Sequence, residues 1–256
     1  MLATFPVSQS LDAVGRPALA RTLLGQLAQA LSVEHCVLYR FGDNDLQILG
    51  VASSDGSSMA ARNSARYRQD FWRGDVTYQE LRGRLCGYKA AVSCLGADQM
   101  SDLRFRRELI LDQGLAGRAL IVAERAGGLF GISMFRSHGA GFFSLDEQTV
   151  ICALSDVLVS LVAKHAEALA PQMALAQLLS SVDQLEAGFG ALDRLTRREC
   201  QVCARIVYGM SMKEIARDLG ITPESAVTYR KRSFLRLDVA DRGALLRRLA
   251  APAPNL

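Results

Sequence analysis

The 256-residue sequence predicts an α+β domain, with helices against an antiparallel sheet, followed by a small all-α domain. Three observations carry this. Two pairs of β-type runs are each joined by turn residues, a long stretch of helical period follows the second pair, and three capped helices with tight connections follow one another from Leu195 onward. Half of the chain is hydrophobic, which is enough for a sizeable core.

The first helix is expected over Leu11 to Leu31, where Leu19, Leu23, Leu24, Leu27 and Leu31 keep a helical stripe. The runs "CVLYRF" and "LQILGVAS", joined by "GDND", read as a hairpin. A polar, arginine-rich helical region, "SARYRQDFWRGDVTYQELRGR", comes next, and then a less regular segment to Leu115. A second hairpin follows from "RALIVAERAG" and "LFGISMFRS", which flank Gly127 and Gly128. Ser144 and Glu147 have capping-box spacing, so a long helix should start there. Its apolar positions Val150, Ile151, Leu154, Val157, Leu158, Leu161 and Val162 keep period to Ala170, and Pro171 should break or kink it. A second amphipathic stretch, "QMALAQLLSSVDQLEA", leads to "GFGALD", whose glycines mark a linker. The expected organisation is therefore an α+β domain over 1–170 with helices on one face of its sheet, a helical linker over 171–190, and a helical domain over 191–256.

Several function classes are excluded by what is absent from the sequence. No basic, apolar and small-residue succession opens the chain, and its longest apolar stretch, "ALSDVLVSLVA", is interrupted by Asp156, so a cytoplasmic chain without a membrane role is expected. Six cysteines without recurrent spacing point to reduced thiols that pack as small hydrophobes. Cys200 and Cys203 form a C-x-x-C, but no second pair follows, so zinc is not expected. They read as core packing (Cys203) plus a surface thiol (Cys200), with thiol-based redox regulation as an alternative. His35, His138 and His165 lack partners at ligand spacing, and His165 is expected to end the long helix near its negative pole. No phosphate loop and no nucleophile elbow occurs, so neither a cofactor nor an enzymatic activity is expected.

The net charge of +4 is uneven: from Phe189 to Leu256 there are 13 Lys and Arg against 7 Asp and Glu. A basic excess in a small helical unit suits a phosphate-backbone partner, double-stranded DNA. Thr196 with Glu199 and Ser211 with Glu214 form capping boxes, Thr222 precedes Pro223, and Gly209 and Gly220 stand where helices must turn. The three helices, about Arg197 to Tyr208, Met212 to Leu219 and Pro223 to Leu237, make a helix-turn-helix. Val202, Cys203, Ile206, Ile215, Ala216, Leu219, Ala226, Tyr229 and Leu237 should face inward. Glu224, Val227, Thr228, Lys231 and Leu235 should line the opposite stripe of the third helix, flanked by Arg230 and Arg232.

The run "LTRRECQVCARIVYGMSMKEIARDLGITPESAVTYRKRSFLRLDVADR" resembles the LuxR-type helix-turn-helix domain over about fifty residues. The resemblance lies in Leu195-Thr196-x-Arg198-Glu199, Gly209-x-Ser211-x-Lys213-Glu214-Ile215-Ala216, Leu219-Gly220-Ile221, and the closing Leu237, Val239 and Arg242. The chain departs from the family at Ser225-Ala226, where Thr-Val is usual, at Tyr229, where His is usual, and at Ser233, which takes an aliphatic position. The resemblance implies base-facing roles for Val227, Thr228 and Lys231 and phosphate contacts for Thr196, Lys213, Arg230 and Arg232, and these seven with Thr222, the cap of the third helix, are the candidate DNA-binding residues.

Proteins with this module at the C-terminus generally resemble one of three designs: a phospho-receiver, an acyl-homoserine-lactone binder, or another small-molecule or protein-sensing domain. The α+β pattern here resembles GAF-like or PAS-like sensor folds, a class that includes acyl-homoserine-lactone-binding domains, and a small-molecule effector or a partner protein is implied. In "YRQDFWRGDVTY", Tyr67, Trp72 and Asp75 are the candidate ligand residues: aromatic walls with a carboxylate anchor. The spacing departs from the lactone pattern, since Tyr67 and Asp75 are closer together and Val76 replaces the usual proline. A ligand-responsive homodimer on a pseudo-palindromic site is expected, with a lactone receptor as an alternative.

Overall fold

The structure, a computed structural model, describes residues 6–250 except 86, 88 and 193, and divides into two compact units after Leu169. The elements in chain order are α1 (Val7–Asp12), α2 (Leu19–Leu31), β1 (His35–Phe41), β2 (Leu46–Ser53), α3 (Met59–Arg66), α4 (Val76–Arg84), β3 (Ala91–Gly96), α5 (Leu103–Phe105), β4 (Leu115–Arg125), β5 (Gly128–Ser137), α6 (Leu145–Leu178), α7 (Val182–Gly190), α8 (Arg197–Tyr208), α9 (Met212–Leu219), α10 (Pro223–Leu237) and α11 (Arg242–Ala250). The class is the one expected: an α+β unit built on an antiparallel sheet, followed by helices.

The first unit holds a five-stranded sheet of order β2-β1-β5-β4-β3, antiparallel throughout. Both expected hairpins are present. In the first turn, the Gly42 N–H donates to the Asp45 carbonyl, and in the second, Gly127 and Gly128 take positive φ. The helices cover both faces of the sheet, in contrast to the one-face arrangement expected. Along β1, Cys36 and Leu38 join the core built with α2 and α6, while Val37, Tyr39 and Phe41 join a second core with Tyr67, Phe71, Trp72, Tyr78 and Leu81. The reason lies in the run "CVLY", which is apolar at every position and so is buried on both sides.

Other expectations are corrected locally. The single helix over Leu11 to Leu31 is two helices, because Gly15 takes a left-handed φ of +75° and Pro17 follows. Strand β3 falls within the segment read as irregular. It is a short edge strand of small residues, paired on one side to β4. The arginine-rich region is helical, and it interleaves α3, a π-helical turn at Tyr67–Phe71, a 3₁₀ turn at Trp72–Gly74 and α4. Ser144 and Glu147 cap α6 reciprocally. Pro171 does not end α6, which runs on to Leu178. The carbonyl that Pro171 leaves without its helical donor belongs to Glu167, an exposed residue open to water. By length and composition α6 could cross a membrane, but Ile151, Leu158, Val159, Leu161 and Val162 are buried in the first unit as core. His165, expected at the helix end, is 1 % exposed. Its Nδ1 accepts the Gly15 N–H at 3.0 Å and its Nε2 lies 3.4 Å from the Leu49 carbonyl.

In the second unit, α8, α9, α10 and α11 pack around one core. The glycines of "GFGALD" are not a linker break. Gly188 and Gly190 lie within α7, whose Leu185 and Phe189 are fully buried with Val202, Cys203, Ile215, Ala226 and Leu245.

Candidate nucleic-acid interface and a buried polar cluster

Helices α8, α9 and α10 each begin with the expected cap. The Thr196 Oγ1 accepts the Glu199 N–H at 3.4 Å and donates to Glu199 Oε2 at 2.9 Å, while the Thr196 N–H reaches the same oxygen at 2.8 Å. Glu199 is 2 % exposed and also receives Arg236 Nη1 at 2.6 Å, which fixes the start of α8 to α10. Ser211 and Glu214 repeat the box on α9, where the bonds from Ser211 hold the Glu214 carboxyl below its usual range. Thr222 accepts the Ser225 N–H at the head of α10, and Gly209 and Gly220 close the preceding helices in left-handed conformation.

These caps set which face of α10 is free. Ala226, Ser233 and Leu237 are buried, and Tyr229 packs at the edge of the core. Glu224, Thr228, Lys231 and Leu235 are exposed on the other side, Val227 is half-buried beside them, and Arg230 and Arg232 are exposed. Arg230 lies over the Phe234 ring at 5.2 Å. Of the eight candidate residues, five lie on α10, Thr222 caps it, Lys213 sits in the first turn of α9, and Thr196 caps α8. The acids of this unit that form ion pairs take Arg205 (Glu186, Asp218) and Arg236 (Glu199). Among the described residues no carboxylate lies within 4 Å of Lys213, Lys231 or Arg232.

The cysteine pair is corrected in one respect. Cys203 is buried as expected, but Cys200 is also buried, because it shares a core with Leu185 and Phe189 of α7. Burial pushes the Cys203 thiol up to about 11 and raises Cys200 as well, so neither is an activated thiolate. In the first unit Cys36 is buried, Cys94 is half-buried and Cys152 is exposed, while Cys86 lies outside the described residues.

Tyr67 and Asp75 come together beneath the sheet. The Tyr67 hydroxyl donates to Asp75 Oδ2 at 2.8 Å, and Asp75 Oδ1 accepts the Tyr78 N–H at 3.2 Å as the N-cap of α4. The π-helical and 3₁₀ turns between them alter the winding, so that a spacing of eight residues returns the two side chains to one place. Arg118 of β4, which the sequence reading missed, completes the cluster. Its Nη2 lies 2.7 Å from Asp75 Oδ2, and both side chains are 4 % exposed. Burial and the neighbouring Asp75 push the Tyr67 hydroxyl well up, so it stays a donor. A cavity of about 20 Å³ opens beside the cluster, lined by His35, Tyr39, Met59, Tyr67, Leu109 and Phe135 among others. Trp72 does not join it. The indole is buried against Tyr78 with the Arg73 guanidinium over it at 4.8 Å. The only sequence signal for Arg118 is a charge at the head of the apolar run "RALIVA", and its partners lie more than forty positions earlier in the chain.

Residues 193–249 match the family described as bacterial regulatory proteins, luxR family, and this stretch forms a LuxR-type helix-turn-helix domain. The transcriptional regulatory protein UhpA of Escherichia coli strain K12 is 38% identical over 60 residues, which span 23% of this chain and 31% of UhpA. Among solved structures, the VqsR LBD domain from Pseudomonas aeruginosa has a TM-score of 0.49 at 18% identity, covering 63% of this chain and 94% of its own. The N-acylhomoserine lactone dependent LuxR family transcription factor CepR2 from Burkholderia cenocepacia has a TM-score of 0.42 at 15% identity, covering 64% and 90%.

Proposed function

With residues 193–249 forming a LuxR-type domain, we propose that the chain is a cytoplasmic, sequence-specific DNA-binding transcription regulator whose first unit senses a small molecule and which acts as a homodimer. The observation that carries this reading is the free face of α10. A stripe with Thr228 and Lys231 stands clear of the core, Arg232 flanks it, and among the described residues no acid pairs with Lys231 or Arg232. A helix of this kind, braced by α9 and opened by a cap, fits the major groove with its side chains toward base edges and flanking cations toward phosphate. Val227, Thr228 and Lys231 are assigned to bases, and Thr196, Lys213, Arg230 and Arg232 to phosphates. Thr222 fixes the register at which α10 begins.

The test is binding to genomic fragments at several salt concentrations. The affinity should fall steeply with salt. Arg232→Ala should weaken every site alike and reduce the slope of log K against log salt by about 1, whereas Lys231→Ala and Thr228→Ala should change which fragments are preferred. Binding that is absent, or insensitive to salt, would sink the reading.

A narrower reading, reception of an acyl-homoserine lactone, is favoured by the union of Tyr67 with Asp75 beneath the sheet. Against it stands Arg118, which already occupies the carboxylate that a ligand N–H would need.

A further inference from the structure

The acids on α8, α9 and α10 differ in what holds them. Glu199 caps α8 and receives the Arg236 guanidinium at 2.6 Å, Glu214 closes the capping box of α9, and Asp218 pairs with Arg205. Glu224 is the exception. Among the described residues its carboxylate accepts no hydrogen bond, and no Lys or Arg nitrogen lies within 4 Å of it.

This free acid stands on the face assigned to DNA. Glu224 is exposed in the first turn of α10, on the stripe that continues through Thr228 and Lys231. The Thr228 hydroxyl donates to the Glu224 carbonyl at 2.9 Å, which lines the two residues up along the helix. From Glu224 to Lys231 is two turns, about 10 Å along the axis, or about three base-pair steps of DNA.

A carboxylate on a face turned toward DNA meets a polyanion and loses water as it docks. Both effects oppose binding unless a donor reaches it. The N-terminal part of a groove-docked helix meets base edges, and the donors on those edges in the major groove are the amino groups of cytosine and adenine. Adenine carries the N7 acceptor beside its amino group, which repels a carboxylate, whereas cytosine presents the N4 amino group alone.

We propose that Glu224 determines specificity: its carboxylate accepts the N4 amino group of a cytosine in the major groove, in the half-site whose other bases Thr228 and Lys231 contact. The proposal rests on the reading of α10 as the helix that recognises DNA and adds a residue to it. Glu224 also acts by exclusion. Thymine or guanine at that position offers the carboxylate only acceptors, so the acid stays unpaired and binding falls. A purely structural role has a different signature: an acid in the first turn of a helix is favoured by the helix dipole, and its loss lowers stability without touching base preference.

The experiment uses the full chain to select duplexes from a pool randomised over about 20 base pairs, two helical turns, and compares the parent with Glu224→Ala and Glu224→Gln. The parent's motif should hold a cytosine that Glu224→Ala no longer selects, with discrimination at that pair falling from about tenfold to under about twofold on matched duplexes. Glu224→Gln should select adenine there, because a carboxamide offers a donor to N7 as well as an acceptor to N6. All other positions of the motif should be unchanged, including the one altered by Lys231→Ala, and both variants should melt cooperatively, close to the parent. The parent's motif retained in both variants would overturn the proposal while leaving the DNA-binding reading in place, whether or not their melting temperatures drop. Stronger binding of every duplex by Glu224→Ala, with preferences intact, would also overturn it, since Glu224 would then only repel phosphate. A parent chain that selects no motif would overturn the reading of a sequence-specific regulator and the proposal with it.

Discussion

His165 couples three parts of the first unit through one ring. Its Nδ1 accepts the Gly15 N–H, which requires the proton to sit on Nε2, and Nε2 faces the Leu49 carbonyl on β2. Burial holds its pKa below the usual 6.5, because a charged imidazole would lose water and also lose the bond from Gly15. The sign follows from linkage. The unfolded chain binds a proton at its ordinary pKa and the folded chain resists it, so the stability present at neutral pH is lost as pH falls through and below about 6.5. Burial lowers His35 in the same way, and it adds to the slope. The lowered carboxylates Glu108 and Glu147 act only at lower pH, so the window from pH 7 to pH 5 isolates the histidines. The expected outcome is a melting temperature that drops across this window, with His165→Gln lower at pH 7 but flatter toward pH 5. A variant as steep as the parent chain would show that His165 does not titrate on unfolding.

At the scale of elements, strand spacing in the sheet depends on glycine in one place above all. A Cβ at Gly117 would stand 2.4 Å from the Leu95 carbonyl oxygen, 2.8 Å from Gly96 Cα and 2.7 Å from Phe142 Cε2. Two of these atoms are backbone of β3, so they cannot yield without opening the β3–β4 ladder, and the register of β4 against β5 already shifts between Leu115 and Gly117. Gly117→Ala should therefore cost about 1–3 kcal/mol in urea unfolding, and Gly139→Ala, with open space around its Cβ position, should stay within about 0.5 kcal/mol. Equal effects would mean that β3 is not held as described. The same strand marks where the sequence was hard to read. Hairpins and capped helices are local, so "GDND", Ser144 with Glu147, and the caps of α8, α9 and α10 were legible from a few adjacent residues. β3 has neither alternation nor bulk to announce it, and the break at Gly15 was hidden by a leucine stripe that continues past it. The cluster of Tyr67, Asp75 and Arg118 was half legible. Tyr67 and Asp75 are neighbours in sequence, but Arg118 joins them only through strand pairing, which no local pattern reports.

At the scale of the whole molecule, the boundary of the C-terminal unit decides what can work as a DNA-binding fragment. The family match begins at residue 193, but the core does not. Leu185 and Phe189 of α7 are both fully buried there, the position of a Cβ on Gly188 lies 3.0 Å from Leu178 and from Leu249, and Arg205 of α8 is paired with Glu186. A fragment of residues 194–256 would remove α7 and uncover the face of the core that holds Cys200. Each large apolar side chain removed from a packed core costs about 2–5 kcal/mol, while a whole domain of this kind is stable by only about 5–15 kcal/mol. The loss of two therefore consumes most of the margin. A fragment of residues 170–256 should melt cooperatively and retain salt-dependent DNA binding. The 194–256 fragment should melt at least about 10 °C lower, or without a cooperative transition, and bind DNA only where DNA itself restores the fold. Both are checked by circular dichroism melts with and without a genomic fragment. Equal melting temperatures would show that α7 only leans on a domain complete without it. The expected difference would instead make α7 the first helix of that domain, an element already built into its core.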